Sequence, residues 1–137
     1  MLFSSGSGSY ELVVHNIKRW RQEYCQYLFR EPGDVDDSLI FENLYDMDWQ
    51  LTLNNIEPGQ YLIRHSVMNK HTGDLKTEMS KLCLNEYLRE EDKEYLTHVS
   101  VPKQKHFTDY CAERRLVIRA RLAANEVRLI TVTRTGI

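Results

Sequence analysis

Hydrophobic and polar residues alternate most strictly between Ser38 and Val67, in SLIFENLYDMDWQLTLNNIEPGQYLIRHSV. Trp49, Leu51 and Leu53 fall on one side of the chain, with Gln50 and Thr52 on the other. Further on, Tyr61, Ile63, His65 and Val67 oppose Leu62, Arg64, Ser66 and Met68. A period of two marks a strand with one buried face. The connector Asn54-Asn55-Ile56-Glu57-Pro58-Gly59 is rich in turn formers, with Pro fixing one φ and Gly freeing another. The expectation is two neighbouring antiparallel strands.

The same pattern organises the rest. Tyr10 to Ile17 reads as a strand, followed by a helix over Lys18 to Arg30 on the stripe Val13, Ile17, Trp20, Tyr24 and Leu28. Leu75 to Asn85 reads as a strand with a bulge, and Tyr87 to Lys93 as a short helix or loop. Tyr95, Thr97, Val99 and Val101 alternate as a further strand. Pro102 to His106 reads as a basic loop, and Phe107 to Glu113 as a helical turn capped by Thr108. Leu116, Ile118, Ala120 and Leu122, then Val127, Leu129, Thr131 and Thr133, predict a closing hairpin through Ala123 to Glu126. The sum is a mainly β fold, an antiparallel β-sandwich of about seven strands with one or two inserted helices. The alternative is an α+β domain whose N-terminal helix packs on an antiparallel sheet. Residues 1–9, small and polar, form a flexible lead, and 10–137 a single globular domain. Leu12, Val14, Phe41, Trp49, Leu51, Leu53, Ile63, Val67, Leu82, Leu84, Val99, Leu116, Ile118 and Leu129 are expected on the inner face.

Composition narrows the chemistry. Three widely spaced cysteines, Cys25, Cys83 and Cys111, give neither a CxxC knuckle nor a disulfide framework and read as free thiols. No apolar run reaches the ~18 residues of a membrane span, and a secretory leader is not apparent, so the expected location is cytoplasmic or nuclear. The net charge of −2 conceals a polarity, since residues 111–137 hold six arginines against Glu113 and Glu126. No nucleophile elbow, matched histidine pair or phosphate-binding glycine loop occurs, so the expectation is a non-enzyme without metal or cofactor.

Three local patterns point to partners. Arg115, Arg119, Arg121 and Arg128 give the last hairpin a basic face, and RLVIRARLAANEVRLITVTR resembles the closing hairpin of RelE-like RNA-cleaving toxins, which implies RNA contact there. Nucleic acid is nevertheless disfavoured by the acidic remainder of the chain. Pro58-Gly59-Gln60-Tyr61-Leu62-Ile63-Arg64-His65-Ser66 resembles the core strand of SH2 domains, which implies that Arg64 forks onto a phosphotyrosine with His98 flanking it. Over a longer span, YELVVHNI, SLIF, WQLTL, YLI and the strand Arg115 to Leu122 are similar in order and spacing to the MATH (TRAF-C) domain. That resemblance implies an adaptor binding a short extended segment of another protein. The peptide would lie along Tyr61, with Arg64, His65 and Lys81 nearby by strand parity. Self-association through a sheet edge also stays open.

Overall fold

The computed structural model describes residues 2–5, 8–22, 37–69 and 89–136. Its strands are β1 (Leu2–Ser5), β2 (Ser9–His15), β3 (Met47–Asn54), β4 (Gly59–Met68), β5 (Lys103–Cys111), β6 (Arg115–Leu122) and β7 (Val127–Gly136). A short helix, α1 (Asp37–Ile40), precedes β3, and a longer one, α2 (Glu90–Val99), precedes β5. The strands form two antiparallel sheets, one of five in the order β1-β2-β7-β4-β5 and one pairing β3 with β6. The fold is mainly β, as the alternation implies.

Between the sheets lies one apolar cluster. Val14 of β2, Tyr61 and Ile63 of β4, and Ile130 and Val132 of β7 meet Leu53 of β3 and Leu116, Ile118 and Leu122 of β6, with Ile56 and Cys111 beside them. Tyr10, Leu12, Met47, Trp49, Leu51 and Ala120 extend it as partly buried neighbours. Burying each large side chain contributes about 1.5–3 kcal/mol before entropy is counted. In β7 the inward phase is Ile130 and Val132, and Leu129 faces out, the reverse of the expected inner face. Leu82 and Leu84, the strand expected over 75–85, and residues 23–30 of the expected helix lie outside the described residues.

Several expected neighbours are separated. β3 and β4 do not pair: β3 runs beside β6 from Met47↔Leu122 to Asn54↔Arg115, while β4 sits between β7 and β5. The Asn54–Gly59 connector carries the chain from one sheet to the other, with Asn55 at φ 59° and Gly59 at φ 142°. β6 and β7 likewise form a corner instead of a hairpin, because each pairs within a different sheet. Both swaps follow from having two apolar faces to join: the strands meet face to face across the core instead of side by side.

Two local assignments also change. Tyr95 to Val99 belongs to α2, not to a strand; Glu90, Glu91 and Asp92 crowd its first turn, and the Arg89 amide donates to Asp92 Oδ2 at 3.1 Å. Phe107 to Cys111, expected as a helical turn, is strand, in register with β4 from Gly59↔Cys111 to Val67↔Lys103. Lys18 to Arg21 is not helical, and Trp20 bridges Phe41, with the Arg21 amide donating to the Ile40 carbonyl at 2.6 Å.

Candidate functional site

Polar residues in the inward phase of their strands gather at the end of the molecule where the chain turns from β6 to β7. Glu126 and Arg128 share the phase of Ile130 and Val132, and His65 that of Ile63 and Val67. Arg128 Nη2 lies 2.7 Å from Glu126 Oε2, with both side chains almost fully buried. The same guanidinium donates to the Arg121 carbonyl of the opposite sheet and lies 3.2 Å from His65 Nδ1. Asn69 Nδ2 donates to Glu126 Oε1 at 3.0 Å. Arginine only donates, so His65 Nδ1 accepts and the proton sits on Nε2. That Nε2 is buried without a hydrogen-bond partner. Burial first, then the Arg128 and Lys105 charges, hold the imidazole below its ordinary value, with Glu126 opposing.

Asn16 completes this corner. Its Nδ2 approaches the carbonyls of Tyr45, Leu122 and Ala123 at 3.0, 3.3 and 3.2 Å. Its backbone exchanges hydrogen bonds with Glu126 and Asn125. Sequence reasoning passed over Asn16 and Glu126. The signal that finds them is a polar residue in phase with buried apolar ones, since such a residue needs partners inside the fold.

The residues singled out from sequence do not converge. Tyr61 is fully buried, and its hydroxyl donates to the Glu57 carbonyl at 2.7 Å. Burial pushes its phenol up. His65 is buried, Arg64 is exposed on the opposite face of β4, and Lys81 lies outside the described residues. Of the four arginines, Arg115, Arg119 and Arg121 are exposed on β6, whereas Arg128 turns inward on β7, so no single basic hairpin face exists.

A groove of about 420 Å³ lies over the β3–β6 pair, lined by Asp48, Trp49, Gln50, Arg119, Ala120 and Arg121. The cross-strand pairs Asp48↔Arg121 and Gln50↔Arg119 place donors opposite acceptors. Arg121 binds Asp46 Oδ2 at 3.1 Å and Asp48 Oδ1 at 3.7 Å, and Arg119 donates to Gln50 Oε1 at 3.2 Å. These are exposed pairs, worth at most about 1 kcal/mol each. The groove offers planar polar groups beside Trp49 and no assembled acid–base pair. Among the described residues, no three His, Cys, Asp or Glu side chains gather as a metal site would require.

No family model matches the chain, and no curated protein does. Solved structures share its fold. A GH39 enzyme from Xanthomonas axonopodis pv. citri superposes with a TM-score of 0.68 at 13% identity, over 98% of this chain and 25% of that one. A monomeric beta-xylosidase from Caulobacter crescentus CB15 gives 0.65 at 17% identity, over 98% of this chain and 26% of that one. A bacterial orthologue of human α-L-iduronidase gives 0.53 at 12% identity, over 69% of this chain and 18% of that one. The chain thus spans about a quarter, or less, of the proteins it resembles. The expectation of a non-enzymatic peptide-binding adaptor is corrected by this likeness, since the two structures that match over 98% of the chain are a GH39 enzyme and a beta-xylosidase.

Proposed function

We propose that this chain is the β-sandwich part of a glycoside hydrolase. One observation carries the reading: 98% of the chain superposes, at a TM-score of 0.68, on one quarter of a GH39 enzyme. Most glycosidases act through two carboxyl groups about 5–9.5 Å apart across the scissile bond. Three acids of the sandwich are held by arginines. Glu126 is buried against Arg128, and Asp46 and Asp48 both bind Arg121. On this reading the reacting carboxylates come from the remainder of a longer polypeptide, and the sandwich contributes its stability and a surface to that part. Fold alone does not specify substrate, so the substrate classes to try first are those of the neighbours.

The test is hydrolysis of aryl β-xylosides and aryl α-L-iduronides by the longest polypeptide that the gene encodes. Turnover is expected, and it should disappear when the sandwich is broken by Ile118→Asp, a charge placed in the shared core. A folded full-length polypeptide that cleaves neither class of glycoside overturns the reading.

A further inference from the structure

Among the described residues, the covering layer stops short of β5. Ile63 of β4 and Phe107 of β5 are register partners on the core side of the five-stranded sheet, yet Ile63 is 0% exposed and Phe107 47%. Every β5 residue from Lys103 to Tyr110 is exposed, on both sides of the strand, and only Cys111 enters the core. β5 is also the last strand of its sheet, paired with β4 alone among the described residues. An edge of nine residues that no described strand covers is a ready template for another strand. Beneath Phe107, 5.3 Å away ring to ring, lies His65, whose Nε2–H is buried and lacks an acceptor.

We infer that the open side and free edge of β5 receive an extended acidic segment from the remainder of the glycoside hydrolase polypeptide, an inference that rests on the reading above. Three observations select this occupant. The fold occurs inside chains about four times as long, so most of such a polypeptide is available to cover it. Lys103, Lys105 and His106 on β5, with Arg64 opposite His106, outnumber the strand's lone acid, Asp109, and call for acidic side chains. The half-exposed Phe107 and the Tyr110 ring provide apolar anchors of the kind that dominate interfaces, while the strand edge supplies backbone hydrogen bonds. A carbonyl or carboxylate that enters beside Phe107 also satisfies the His65 donor.

The experiment is amide hydrogen exchange of residues 103–110, in this chain alone and in the longest polypeptide that the gene encodes. The edge-facing amides should exchange fast in the chain alone and slow by about tenfold or more in the longer polypeptide. The surface variant Lys105→Glu with Phe107→Ser should abolish that slowing while leaving the circular dichroism of the isolated chain unchanged. Slow exchange already present in the chain alone, or equal fast exchange in both, overturns the inference. So does concentration-dependent protection with a dimeric mass by light scattering, which assigns the edge to a second copy. Glycoside turnover with an unprotected β5 overturns the interface and spares the functional reading; a protected β5 without turnover does the reverse.

Discussion

Glu126 and Arg128 hold their ion pair with 4% and 11% of the side chains exposed, where Glu126 also accepts from Asn69, just past β4, and Arg128 donates to β6. Removing one partner leaves a buried charge uncompensated, so Glu126→Ala should lower stability by about 3–5 kcal/mol, read from urea midpoints at constant slope. Glu126→Leu with Arg128→Met should recover much of that loss, since an apolar pair of similar volume needs no desolvation. His65 adds a pH dependence. Its folded value lies below the ordinary imidazole value of about 6.5, so between the two the unfolded state binds more protons. Stability should be full above about pH 6.5, fall as the pH drops through that value toward the folded one, and level off below it. Urea titrations of His65→Gln should show a shallower fall over the same window; an identical slope would remove His65 as the cause. Arg128 and His65 were visible in the sequence as candidate binding residues. Their inward roles were not, because strand parity says which residues share a face and not which face is covered.

β4 is the element on which the fold turns, paired on both edges and alternating buried and less buried residues along its length. Its first residue, Gly59, has φ 142°, and a Cβ there would overlap the Gly136 carbonyl oxygen. Gly59→Ala should therefore cost about 1–3 kcal/mol, measured by thermal or urea unfolding. The period-two pattern located β2, β3, β4, β6 and β7 from sequence. It misled at α2, where three of four alternating residues, Tyr95, Thr97 and Val99, lie on a helix whose acidic first turn favours it. It missed β5 because alternation records a buried face, and β5 buries only Cys111. What makes β5 a strand is the open edge of β4, which no local sequence window contains.

Across the whole molecule, one cluster of side chains among the described residues draws on both sheets and joins them. Ile118→Ala should cost about 2–5 kcal/mol. Unfolding followed by tryptophan fluorescence, which includes Trp49 of the smaller sheet, should coincide with unfolding followed by far-ultraviolet circular dichroism. Separate transitions would mean that the sheets are stable independently. The sequence by itself determined the β class, the position of most strands and the inward phase of β3, β4 and β6, because burial of one face imprints a period of two wherever it occurs. Only the tertiary structure decided which strands are neighbours. Pairing joins residues far apart in the chain, such as Met47 with Leu122, and any two amphipathic strands satisfy the same local pattern. It also decided that His65, Glu126 and Arg128 meet inside one corner and that β5 stands uncovered, since both depend on which face the second sheet reaches.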